Sequence, residues 1–248
     1  MGIFIKNDSQ VALMRTACQI CARTHELLIS YIKPGITTAE LSQIAEEYIR
    51  GQGAIPTFLG YRGFPGAICA SVNEQVIHGI PGLSRLKSGD IVSIDIGVCY
   101  KRFHGDAART HPVGKIMDEH QRLIDVARDS FFDSMRYARL GCHLHEISAA
   151  IDDYVTSRGF SVVREWCGHG IGRQLHEDPS VPHTRQETRG PRLVKGMTLA
   201  IEPMVNAGGH ELNMLDDNWT VVTQDGKFSA HYENTICITT GDPEIMTL

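Results

Sequence analysis

The chain has 248 residues, 42% of them hydrophobic, enough for a sizeable core in one large domain or two small ones. With 24 Lys and Arg against 29 Asp and Glu the net charge is -5, and no basic run matches a row of phosphates, so no specific nucleic-acid partner is expected. No stretch approaches the roughly 20 apolar residues of a membrane helix, residues 1–10 lack the apolar core of a signal peptide, and seven scattered Cys do not resemble a disulfide framework, so a soluble, cytoplasmic protein is expected.

The first predicted element is an amphipathic helix over about residues 7–32, with Val11, Met14, Cys18, Cys21, His25 and Leu28 on one stripe. Cys18 and Cys21 form a C-x-x-C within it. Without a second pair, these thiols are expected in the core or on the surface rather than on zinc. In the next helix Thr37 and Glu40 are spaced as a capping box, and Leu41, Ile44, Ala45 and Tyr48 form the apolar face.

At an offset of 106 residues this pattern returns: Glu40-Leu41-Ser42 aligns with Glu146-Ile147-Ser148, Gly35 with Gly141 and Gly53 with Gly159. At 107, Leu86 and Gly89 meet Leu193 and Gly196, and Ile94-Asp95 meets Ile201-Glu202. A helix alone repeats cheaply by chance. A helix followed at the same gap by a strand with an acid at the same place does not. The expected fold class is α+β: a single domain over 1–248, built of an N-terminal half of about 1–118 and a C-terminal half of about 119–248 that share a sheet, with the first helix packed outside it.

Residues 90–100 alternate and are rich in β-branched side chains, which places Asp95 on a strand facing the same way as Ser93 and Gly97. A second extended run follows over residues 102–110. A turn at Tyr100-Lys101 would set Asp95 directly opposite Asp106, a repulsive pair unless a positive group lies between them. In the second half, Gly-rich Cys167-Gly168-His169-Gly170 lets backbone approach closely, and Glu202 and Glu233 sit in apolar strands. Singly, His169 reads equally as a hydrogen-bonded core histidine and either Glu as a salt-bridge partner. Together, four carboxylates and one imidazole in such settings suit divalent ions such as Mn, Fe(II), Co or Zn, and two such ions cancel the charge of four carboxylates.

The motifs Asn73-Glu74-x-x-x-His78-Gly79-Ile80-Pro81, Asp95, His104-Gly105-Asp106, Cys167-Gly168-His169-Gly170-Ile171-Gly172, His176-Glu177-x-Pro179, Ile201-Glu202-Pro203 and Tyr232-Glu233-x-Thr235 together resemble type I methionine aminopeptidase of the bacterial, extension-free form. The resemblance spans essentially the whole chain. It implies the pita-bread fold, with a pseudo-twofold pair of halves, a central curved antiparallel sheet and helices on its outer face. It also implies removal of the initiator Met from nascent proteins whose second residue is small. Asp95 would be the bidentate ligand of one divalent metal, Asp106 and Glu233 the bridges to a second, and His169 and Glu202 the second ion's ligands. Glu202 would also move protons, His78 would contact the scissile amide and His176 would stabilise the oxyanion. The methionine pocket would be lined by Phe58, Tyr61, Phe64, Cys69, Leu175, His78 and Trp219.

Departures from the commonest bacterial pattern are Phe58 for Cys, Leu175 for Phe, Arg62 for a frequent His, and Gly97 and Ala107 for hydroxyl residues that support the ligands. A narrowed pocket and a looser ligand shell are expected from them. A proline-directed peptidase of the aminopeptidase P or prolidase type shares the five ligands but usually carries a large extra N-terminal domain, whereas about 30 residues precede the repeat here. A metal-free binder of N-terminal peptides, or a paralogue with shifted specificity, are the other readings. The expected partners are N-terminal Met peptides of nascent chains, with transient ribosome contact, and the expected state is a monomer.

Overall fold

Asn7 starts the first helix by accepting from the Gln10 N–H, while the Gln10 side chain accepts from the Asn7 N–H. In the computed structural model, which describes residues 2–248, this helix, α1 (Asp8–Ile29), ends three residues short of the expected boundary. The chain continues through α2 (Thr38–Gly51), β1 (Ile55–Pro56), β2 (Cys69–Val72), β3 (Gln75–Ile77), β4 (Ile91–Tyr100), β5 (Phe103–Pro112), α3 (Asp118–Ser134) and α4 (Leu144–Thr156). The short strands β6 (Ser161–Val162), β7 (Gly168–Gly170), β8 (Glu177–Val181), β9 (Thr198–Ile201) and β10 (Met204–Asn206) follow. The last are β11 (Leu212–Met214), β12 (Val221–Thr223), β13 (Ser229–His231), β14 (Asn234–Cys237) and β15 (Glu244–Ile245). Every ladder is antiparallel. No helix among the described residues is long and apolar enough to cross a membrane.

The internal repeat is visible as repeated hydrogen bonds. Glu40 accepts the Thr37 N–H at the start of α2, and Glu146 accepts the His143 N–H at the start of α4. Gly35 donates to Leu86 as Gly141 donates to Leu193, and Gly89 to Val113 as Gly196 to Ile238. All four glycines have φ between 86° and 103°, a region costly for other residues, so the turns repeat with their glycines. The first helix packs on the outside of the sheet, as expected, and the repeat extends to it. α1 packs on α2 and on β4 and β5, just as α3 packs on α4 and on β10 and β13, so α1 is the counterpart of α3. The contact is close: a Cβ on Gly105 of β5 would lie 2.7–2.8 Å from Cys18 atoms of α1. Cys18 and Cys21 are buried in this contact and form no disulfide.

The two halves meet at a pseudo-twofold axis. β4 pairs with β5, and β9 and β10 pair with β14 and β13 in one unbroken register, from Thr198↔Cys237 to Asn206↔Ser229. Ala108 and Glu233 are counterparts in these hairpins and exchange both backbone hydrogen bonds across the axis. On one side of them the Thr235 hydroxyl donates to the Asp106 carbonyl and accepts its N–H; on the other, Thr110 does the same to His231, all at 2.9–3.0 Å.

Each half has its own apolar core, around Leu41, Ile49, Ile94 and Ile96 in the first and Leu123, Phe131, Ile147 and Ile201 in the second. Burying each such side chain stabilises the fold by about 1.5–3 kcal/mol. A third cluster containing Met14, Phe58, Phe64, Cys69, Leu175 and Ala200 lies where the halves meet and borders the candidate site.

Candidate metal centre and peptide pocket

Strand alternation brings the acids together. On β4 and β5 the register sets Asp95 opposite Ala108 and Asp106 opposite Gly97, so these four positions share one face. The expected direct pairing of Asp95 with Asp106 is therefore off by two residues. The turn is Lys101-Arg102, with φ of 47° and 70°, not Tyr100-Lys101. Since a slip of two keeps the face, the carboxyls still meet, diagonally, and each acts on the other's ionisation.

From the second half, β7 supplies His169, the end of β9 leads into Glu202, and Glu233 lies between β13 and β14. Asp106, His169 and Glu233 each offer a ligand atom, all within 4.8 Å of one another and all buried. The Nε2 of His169 stands 3.6 Å from Glu202 Oε1. Its Nδ1 lies 2.9 Å from the Gly170 carbonyl; donating there leaves the Nε2 lone pair free. Burial lowers the His169 pKa to about 3, so this is contact between a neutral imidazole and a carboxyl, not an ion pair.

Charge in this pocket is under stress. Burial raises Asp106 and Glu233 well above the usual carboxylate range, with the Asp95 and Glu202 carboxyls adding to both shifts, and raises Asp95 to about 7 and Glu202 to about 8. Asp95 Oδ1, Asp106 Oδ1 and Glu233 Oε1 are buried with no hydrogen-bond partner. Each unpartnered buried polar atom costs about 1–3 kcal/mol. Converging oxygens that lack donors and resist ionisation, beside an imidazole with a free lone pair, fit divalent cations.

A cavity of about 480 Å³ opens beside the acids. Every residue expected at the site lines it: Asp95, Asp106, His169, Glu202 and Glu233, with His78, His176, Phe58, Tyr61, Phe64, Cys69, Leu175 and Trp219. Phe58, Phe64, Cys69 and Leu175 are buried and make one end apolar. His78 has φ of 58°, a conformation of order 1–3 kcal/mol above the ordinary regions. Its ring meets Trp166 and Trp219 edge to face, at 5.0 and 6.1 Å. His176 is exposed, packs 4.3 Å from the His169 ring, and its Nδ1 is 2.9 Å from the Tyr61 hydroxyl. The next residue, Glu177, pairs with Lys6 at 2.6 Å in a nearly closed contact that ties the N-terminal segment to the His176 loop.

The departures at 58 and 97 prove to be one feature. A Cβ on Gly97 would lie 2.7 Å from Phe58 Cε1 and 3.0 Å from Thr57 Cβ, so the Phe58 ring occupies the space a side chain at 97 would need. Gly97→Ala is therefore expected to cost about 1–3 kcal/mol by overpacking. Adding Phe58→Cys should return much of that loss, a coupling read by denaturant unfolding of both single variants and the double variant. Ala107 faces the core on the α1 side, away from the acids. The hydroxyl that holds Asp106 comes instead from Thr235.

The sequence assigned no role to Trp166 and Cys167 at the cavity wall or to His183, whose Nε2 accepts the Glu202 N–H at 3.2 Å. It assigned none to His231 either, two residues before Glu233. That spacing puts the pair on one strand face, a signal that was available.

The model of metallopeptidase family M24 matches residues 12–240. The chain belongs to metallopeptidase family M24. Family M24 members with high similarity include "Methionine aminopeptidase" of Clostridium perfringens, 54% identical over 246 residues, with 99% of each chain covered. The solved methionine aminopeptidase of Rickettsia prowazekii superposes with a TM-score of 0.98 at 38% identity, covering 100% of both chains, so the fold is the pita-bread fold of family M24. The Xaa-Pro dipeptidase of Bacillus anthracis shares that fold at a TM-score of 0.78 and 24% identity, and the match covers 61% of its length. Divalent metal use follows from membership of a metallopeptidase family.

Proposed function

We propose that the chain is a methionine aminopeptidase, acting in the cytoplasm as a monomer on the initiator Met of nascent proteins and peptides with a small second residue. Residues 1–248 act as one catalytic domain, because the ligand set is divided between halves of about 1–118 and 119–248. The observation that carries the reading is the junction of buried unpartnered carboxylates with an apolar pocket end in a single cavity. Two divalent ions, Fe(II), Mn, Co or Zn, would be held by Asp95, Asp106, His169, Glu202 and Glu233 and would supply acidified water and a polarised scissile carbonyl.

The chain's own groups do the rest. Phe58, Phe64, Cys69, Leu175, Tyr61 and Trp219 receive the flexible thioether side chain and exclude water from it. Glu202 takes the proton from the attacking water and passes it to the leaving amine. Donation from the Tyr61 hydroxyl to His176 Nδ1 keeps the His176 proton on Nε2, an N–H donor for the developing oxyanion. The constrained backbone of His78 and the two Trp rings hold its imidazole against the scissile amide.

A panel of Met-Xaa-Ser peptides and Xaa-Pro dipeptides, each incubated with Mn- or Co-loaded protein, tests the reading. Release of free Met from Met-Ala-Ser, falling as the second residue grows, is expected. Cleavage confined to Xaa-Pro, or binding without turnover, would replace it with the proline-directed or the non-catalytic alternative.

A further inference from the structure

His231 is 2% exposed, yet its Nε2 has no hydrogen-bond partner and faces Glu202 Oε2 at 3.7 Å. That distance is too long for a hydrogen bond. Donors that bind one ion at about 2.0–2.2 Å stand up to about 4 Å apart, so 3.7 Å suits two ligands of one cation. His169 Nε2 stands 3.6 Å from the other oxygen of the same carboxylate. Glu202 is thus flanked by two imidazoles at matched spacing, one on each oxygen.

Pseudosymmetry gives a second, independent reason. In the first hairpin Asp106 lies opposite Gly97, and in the second His231 lies opposite Met204, the residue that the repeat aligns with Gly97. Asp106 is gripped at N–H and carbonyl by Thr235, and His231 identically by Thr110. His231 is the twofold mate of a residue already placed among the metal donors, and it is held by the same device.

We propose that His231 is a sixth protein donor of the metal centre, an imidazole ligand from the side of Glu202 opposite His169. The inference rests on the metallopeptidase reading given above. A neutral imidazole adds no charge to a set of four carboxylates that two divalent ions already balance. It does shift the donor set toward nitrogen, which favours Co, Fe(II) or Zn over Mn.

Proton NMR of the Co(II)-loaded full chain tests this directly, because each imidazole bound to a paramagnetic ion contributes a strongly shifted, solvent-exchangeable N–H signal. Two such signals are expected in the wild type, one of which vanishes in His231→Gln while Co(II) binding weakens by about 10-fold or more. A single signal in the wild type, or two that both survive in His231→Gln, overturns the proposal. Circular dichroism checks that the variant is folded; if it is not, His231→Asn takes its place, and the wild-type count still decides. Wild-type protein that cleaves Met-Ala-Ser with Co(II) but shows one signal defeats this inference alone, whereas protein that neither binds Co(II) nor cleaves the peptide defeats the metallopeptidase reading as well.

Discussion

Glu202→Gln is expected to lower kcat on Met-Ala-Ser by about 10²- to 10⁴-fold, the range of a positioned acid–base group, while the metal-free protein keeps or gains stability. The two effects separate because Glu202 is costly to the empty fold. It lies in a pocket that raises it to about 8, beside Asp95 and between two buried imidazoles, so its charged form is opposed by burial. The amide keeps the shape and carries no charge. It cannot accept a proton from water and is a poorer cation ligand. Steady-state kinetics with Mn or Co, run beside denaturant unfolding of the metal-free variant at pH 8, reads both quantities. Equal losses of activity and stability would mean that Glu202 serves the fold rather than the chemistry.

The second large effect concerns pH. A carboxyl whose pKa is raised on folding stabilises the protein below its unfolded value, near 4, and that contribution is lost as pH rises through the folded value. With Asp95 raised to about 7 and Glu202 to about 8, the loss sets in above about pH 4 and is complete near pH 8, with Asp106 and Glu233 shifted the same way. The buried histidines act with opposite sign. His169, His183 and His231 are lowered to between about 3 and about 4, so the unfolded chain protonates first and stability falls below pH 6.5. Since His25, His78, His104, His111 and His176 are lowered as well, the histidines outnumber the four raised carboxyls below pH 6.5, and metal-free protein should be most stable near pH 6.5. Above that it should lose up to about 1.4 kcal/mol per pH unit for each proton released.

A cation reverses the alkaline arm, because it binds the ionised folded form. At about 1,000 times its dissociation constant it adds roughly 4 kcal/mol. Thermal unfolding from pH 5 to 9, with chelator and then with Mn, checks this; a metal-free protein that grows more stable from pH 6.5 to 9 would contradict the stressed-carboxylate account.

Much of this centre was legible in the sequence. Asp95 and Glu202 emerged from a repeat whose spacing is nearly constant, since the segments between the helix and the acid are alike in both halves. Asp106 followed from strand alternation, which survives a two-residue slip in register. The slip itself was not legible, because Lys101 and Arg102 turn with positive φ and without the Gly or Asn that usually marks such a turn. His231 was hidden for another reason. The hairpin of β11 and β12 is present in the second half only, so the constant offset that matches Asp95 with Glu202 no longer matches Asp106 with His231. Only the register of β10 with β13 restores the correspondence. The Phe58 departure likewise became intelligible only when its ring was seen over Gly97, residues 39 apart in the chain and touching in space.

The central claim is that buried carboxylates from both halves bind divalent cations that drive removal of an N-terminal methionine. The most direct measurement is a titration of chelator-treated protein with Mn(II) or Co(II), following bound ion by calorimetry and free methionine released from Met-Ala-Ser in the same samples. Activity should be absent in the metal-free protein, rise with bound ion, and fail to return in Asp106→Ala. Methionine release that is unchanged by chelation, or that persists in Asp106→Ala, would contradict it.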